Sequence, residues 1–164
     1  MKQKKVLITA FKGKNNSSAI LVKKIRVENI EKFEFTNSFE TSERELRAIL
    51  DKAEPDYILF FGEKPETSKI ELEAVARRWH RKIKTVFALR KLADYLKRNG
   101  FGVAISKDAG QYLCNNIYYE GLKRISKPKR KTRAAFVHVP SLESGTDVDK
   151  LAKVVSNYIK KFLQ

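Results

Sequence analysis

Apolar residues along this chain occur in two kinds of run that take turns. Short, dense, β-branched or aromatic runs occupy residues 5–10, 57–61, 101–105 and 134–139, and each reads as a buried strand. Between them lie longer stretches in which apolar positions recur every three or four residues, the mark of an amphipathic helix. Ser17 or Ser18 is placed to cap such a helix, running to about residue 26. Ser42 with Glu45 has capping-box spacing ahead of Leu46, Ile49 and Leu50, and Glu54-Pro55-Asp56 closes that helix. Leu89, Leu92, Ala93 and Leu96 mark another, stopped by Gly100. Leu113, Ile117, Tyr118 and Leu122 mark the next, running to about Ile125. The last is capped by Thr146 or Asp147 and carries the stripe Val148, Leu151, Val154, Val155, Tyr158 and Phe162. Residues 32–35 alternate weakly, as an edge strand would.

This order of elements predicts an α/β fold, an open and mostly parallel twisted sheet with helices on both faces. Such sheets gather reactive groups beyond the carboxyl ends of their strands. One segment resists the pattern. In Ile70-Glu71-Leu72-Glu73-Ala74-Val75-Ala76 helical spacing groups Leu72, Val75, Ala76 and Trp79, whereas alternation groups Ile70, Leu72 and Ala74 and sends Glu71 and Glu73 to the opposite face. Periodicity does not separate the two.

Candidate chemistry centres on residues 106–119. The chain's one cysteine, Cys114, follows the turn signal Asp108-Ala109-Gly110 and falls in the first turn of the helix that begins there. Unpaired backbone N–H groups and the positive end of the helix dipole favour an anion at that point, which predicts a thiol shifted toward thiolate. The plain alternative is an inert, buried cysteine. His138 lies at the end of the last predicted strand, where the alternative is again a histidine satisfied by its surroundings, and Glu73 alone would pass for a surface carboxylate. His80, among Arg77, Arg78, Arg81 and Lys82, is expected at the surface.

Together these residues carry a resemblance. Ser106, Ala109, Gly110, Tyr112, Leu113, Cys114 and Asn115 resemble the cysteine signature of the pyroglutamyl peptidase I (pyrrolidone carboxyl peptidase) family. Phe136-Val137-His138-Val139-Pro140 is similar to the block around that family's catalytic histidine. Gly62, Pro65, Ser68, Ile70, Leu72, Glu73 and Ala76 fall where the family carries its catalytic glutamate, and Val6 to Phe11 is similar to its first strand and turn. The resemblance implies a single α/β domain over residues 1–164, a strand at residues 70–76, and a Cys114, His138, Glu73 catalytic set. It also implies Phe11 and Asn115 at the substrate, a peptide with a blocked N-terminus as that substrate, and a homo-oligomer. The chain is a shortened and divergent member. A long family loop is missing between Arg77 and Val86, Arg77-Arg78 replaces an asparagine, and Lys14 stands where the family has a second pocket phenylalanine.

Composition narrows the field further. At 164 residues, 42% hydrophobic with ten Phe and six Tyr, the chain is long and apolar enough to bury a core. No apolar run is long enough to span a membrane, and the apolar stretch after the charged N-terminus is too short for a signal peptide. With one cysteine and no internal disulfide, a cytoplasmic location is expected. Two histidines and one cysteine without ligand spacing give no case for a metal, and no nucleotide fingerprint appears, so no cofactor is expected. The net charge of +16 predicts non-specific attraction to polyanions. Seven basic residues lie between Lys123 and Arg133 around Pro128, without interleaved aromatics, and read as a solvated connection. Two functions from different classes follow: a cysteine amidase of pyroglutamyl peptidase type, or a catalytically inactive relative that binds nucleic acid or a protein partner through its basic surface.

Overall fold

A computed structural model describes residues 3–127 and 131–164. The chain runs β1 (Val6–Phe11), α1 (Ser17–Lys24), β2 (Ile30–Phe35), α2 (Phe39–Ala53), β3 (Tyr57–Glu63), β4 (Ile70–Glu73), β5 (Val75–Arg78), β6 (Arg81–Lys84), α3 (Leu89–Arg98), β7 (Val103–Ser106), α4 (Leu113–Ile125), β8 (Arg133–Val139) and α5 (Val148–Tyr158). A short 3-10 turn precedes α5, and a π-helical turn over Ile159–Leu163 follows it.

Six strands form one open sheet in the order β2-β1-β3-β8-β4-β7. Every pairing is parallel except that of β4 with β8. The apolar runs build it because both faces are covered, as a parallel sheet requires. One face of β1, β3 and β8 (Ile8, Leu59, Phe61, Ala135, Val137) packs under α1, α3 and α5. The other (Leu7, Ile58, Phe60, Ala134, Phe136) packs under α2 and α4. The weak alternation of β2 matches its place at the edge.

Several local expectations are corrected. Asn16, not a serine, caps α1, accepting from the Ala19 N–H. Ser38 caps α2, so the helix begins before the expected box, Ser42 is buried inside it, and Glu45 turns back to accept from the Thr36 N–H and hydroxyl. Asp147 caps α5 through the Lys150 N–H. The segment that periodicity left open is strand at residues 70–73 and again at 75–78. β5 and β6 form an antiparallel hairpin turning at Trp79-His80. Trp79 takes a positive φ of 53° there, a conformation that costs a bulky residue on the order of 1–2 kcal/mol. Of the basic stretch, Lys123 and Arg124 end α4, while Pro128, Lys129 and Arg130 lie outside the described residues.

Candidate active site

The antiparallel insertion of β4 against β8 makes the site. Glu71 lies opposite His138 and Glu73 opposite Phe136, so Glu73 is the diagonal neighbour of His138 on the same face. That diagonal is within reach of a glutamate. Glu73 Oε1 lies 2.7 Å from His138 Nδ1, with Glu73 0% and His138 3% exposed. With the carboxylate as acceptor, Nδ1 carries a hydrogen and Nε2 is the nitrogen left free of Glu73. The other oxygen, Oε2, is buried and has no hydrogen-bond partner among the described residues. The face of β4 that carries Glu71 and Glu73 is therefore the one that meets His138, while Ile70 and Leu72 on the other face join the core.

On β3, Gly62 is the ladder partner of His138. A Cβ at Gly62 would stand 2.7 Å from Cys114 Sγ and 2.9 Å from two atoms of the Phe136 ring. The sulfur thus occupies the space that a side chain at Gly62 would fill, one strand over from the imidazole. Phe136 packs on His138 with ring centroids 4.8 Å apart, closing the side of the pocket. Cys114 enters from above as the second residue of α4.

The electrostatics overturn one expectation. Burial pushes the Cys114 thiol up to about 12 from an ordinary 9.0, and the negative charge of Glu73 adds to the rise. Its own backbone N–H and Lys64 pull the other way without prevailing. The helix N-terminus does act on the sulfur, but desolvation outweighs it because Sγ points into the sheet face rather than out to water. Desolvation thus favours the neutral thiol over the thiolate. Lys64 makes a 2.6 Å ion pair with Glu71 beside the site. Burial works against its charge, but that hydrogen bond and the charges of Glu71, Glu73 and Asp108 hold it above its ordinary range.

The two remaining expected residues, Phe11 and Asn115, each have partners within the fold. Phe11 ends β1 and is packed against Phe35, with ring centroids 5.7 Å apart. Asn115 spends its side-chain amide on β5, accepting from the Arg77 N–H at 2.9 Å and donating to the Arg77 carbonyl at 2.7 Å. It fixes the hairpin to the helix that carries the cysteine. His80 is exposed, as expected. The roles of Gly62 as the gap that admits the sulfur, and of Arg78 as a hub joining Glu43, Glu120 and Asn116, left no mark in the spacing of the sequence.

With this geometry in hand, likeness to known proteins becomes informative. A family model described as pyroglutamyl peptidase matches residues 83–162, which contain Cys114 and His138 but not Glu73. The pyrrolidone-carboxylate peptidase of Fusobacterium nucleatum is 24% identical over 169 aligned positions, covering 85% of this chain and 79% of the relative. The chain is thus similar to pyroglutamyl peptidases along most of its length. A shorter match, to pyroglutamyl-peptidase 1 of Rattus norvegicus, reaches 41% identity over 61 residues but covers only 27% of that protein. In fold, the chain matches the crystal structure of Bacillus amyloliquefaciens pyroglutamyl peptidase I with a TM-score of 0.84 at 22% identity, over 94% of both chains. The peptidase of Fervidobacterium islandicum matches with 0.83 at 22% identity over 98% and 99%. Among the described residues no helix is long and apolar enough to cross a membrane.

Proposed function

We propose that this chain hydrolyses the amide bond after an N-terminal pyroglutamyl residue, with Cys114 as nucleophile, His138 as acid and base, and Glu73 orienting the imidazole. The observation that carries this reading is the buried 2.7 Å contact between Glu73 Oε1 and His138 Nδ1, one strand from the Cys114 sulfur. Burial favours the neutral thiol, so in this reading Nε2 removes its proton as Sγ bonds to the acyl carbon, and the carbonyl electron pair moves onto oxygen. Backbone N–H groups of the first turn of α4 face the developing oxyanion, an arrangement in which losing one donor costs about 3 kcal/mol. The intermediate collapses, the carbon–nitrogen bond breaks, and the imidazolium gives its proton to the leaving amine. Water, deprotonated by the same nitrogen, then cleaves the thioester, returning the thiol and releasing pyroglutamate.

Hydrolysis of a fluorogenic pyroglutamyl amide by the wild type and by Cys114→Ser tests this. The wild type should turn over and the variant should lose activity by several orders of magnitude. No cleavage by the wild type, or cleavage that survives in the variant, overturns it. Lys14 is solvent-exposed in the first loop, so amides of acidic acyl groups belong in the same panel.

A further inference from the structure

The hairpin of β5 and β6 is strongly basic. From residue 74 to 93 there is no carboxylate, while Arg77, Arg78, Arg81, Lys82, Lys84, Arg90 and Lys91 lie in that span. The register sets Arg77 directly against Lys82, and Arg78 against Arg81. Like charges facing across a ladder repel, and only Arg78 finds carboxylates, in Glu43 and Glu120, among the described residues. At the tip, Trp79 is 95% exposed in its positive-φ turn. Trp79 and Phe39, itself 50% exposed, line one open cleft of about 590 Å³ together with Arg77 and Lys107. Arg77 donates to the Lys107 carbonyl and Asp108 also lines the cleft, but cations without a carboxylate partner among the described residues, next to exposed aromatic rings, are what a chain of phosphates and unstacked bases requires.

We infer that the hairpin of β5 and β6, with the cleft beneath Trp79, is a binding surface for single-stranded nucleic acid. Arg77, Arg81, Lys82 and Lys107 meet phosphates, and a base stacks on the Trp79 ring. A duplex would meet the same cations, but its paired bases would leave the indole unused. Asn115 and Asn116, beside Cys114, also line the cleft, but Cys114, His138 and Glu73 do not, so the inference neither requires nor replaces the hydrolytic reading.

Trp79 is the chain's one tryptophan, so its fluorescence reports the contact directly. Titrating the full chain with a short oligodeoxythymidylate should quench that fluorescence. Four phosphate contacts predict a slope of log affinity on log salt of about −3, an affinity loss of about 50-fold between 50 and 200 mM salt. By anisotropy of a labelled oligomer, Trp79→Ala should weaken binding about tenfold. Arg81→Ala with Lys82→Ala should weaken it at least as much while melting no lower than the wild type, since it removes opposed like charges. Inorganic polyphosphate of equal charge, and a duplex of the same length, should bind at least tenfold more weakly. Equal binding of either one, binding without quenching, or unaltered affinity in Trp79→Ala overturns the inference.

Discussion

Replacing Glu73 by glutamine separates two accounts of how the cysteine becomes a nucleophile. With the thiol at about 12, about one molecule in 10⁵ carries a thiolate at neutral pH, and placing the charge there costs about 4 kcal/mol more than at an ordinary thiol. Burial is the larger cause and Glu73 the second. Glutamine keeps the shape but removes the charge, so the thiol should ionise more readily and its alkylation by iodoacetamide should shift to lower pH. Hydrolysis should nevertheless fall. An amide can turn its NH₂ toward Nδ1, leaving the proton on Nε2, and the comparable carboxylate-to-amide change in a serine triad costs on the order of 10⁴ in kcat, about 5 kcal/mol. Folding should not suffer, because the change removes a fully buried charge whose Oε2 has no partner among the described residues.

The assay pairs a pH profile of alkylation with kcat for a pyroglutamyl amide, and a melt as control. The opposite shift, alkylation moving to higher pH, would mean that Glu73 serves a resting thiolate–imidazolium pair by stabilising the imidazolium. That result would refute general-base activation of a neutral thiol. Unchanged kcat would remove Glu73 from the mechanism altogether.

Gly62→Ala places a methyl group 2.7 Å from Cys114 Sγ and 2.9 Å from Phe136, both held by neighbouring elements. We expect a loss of about 1–3 kcal/mol in denaturant unfolding and a fall in kcat from the displaced sulfur, whereas a stable, fully active variant would show that the pocket has slack. Trp79→Gly should raise stability by about 1 kcal/mol in the same unfolding assay, because a nearly fully exposed ring gives up little packing and the positive φ then carries no strain. Burial works against the Glu43 carboxylate, but hydrogen bonds from Asn116 and Arg78 and nearby positive charge hold its pKa below 4.5. A depressed carboxyl stabilises the fold above its unfolded value and loses that contribution as pH falls through the folded one. Glu43→Gln should therefore destabilise near pH 7 and flatten the stability loss below 4.5, as unfolding at neutral pH and at about pH 3 would show.

The layers of the fold were legible because burial on both faces forces long apolar runs, and the helices because a single stripe must face the sheet. Caps were less so. Asn16 and Ser38 each had serines or threonines within a few residues, and only the chain's path decides which oxygen meets a free N–H. Cys114, His138 and Glu73 could be named from resemblance, but not the state of the sulfur. A helix N-terminus is readable in a sequence, whereas the direction in which a side chain leaves it, toward water or toward a sheet, is not. Asn115 shows the same limit, since nothing in the sequence tells that its amide bonds to the Arg77 backbone.

That bond also ties the two unusual regions of the molecule together. Ala76 and Ile83 pack the hairpin against the face of α4, and Asn115 and Asn116 hold Arg77 and Arg78 from the turn adjoining Cys114. A ribbon carrying two opposed like-charge pairs gains little from its own ladder, so its attachment to α4 is what keeps it in place. The same contacts brace the first turn of the helix whose N–H groups face the oxyanion in the proposed reaction. Removing the hairpin should consequently loosen the site. Asn115→Ala tests that dependence. It should lower kcat on a pyroglutamyl amide with KM little changed and leave the Cys114 alkylation profile near that of the wild type. A variant in which KM alone rises would place Asn115 at the substrate instead.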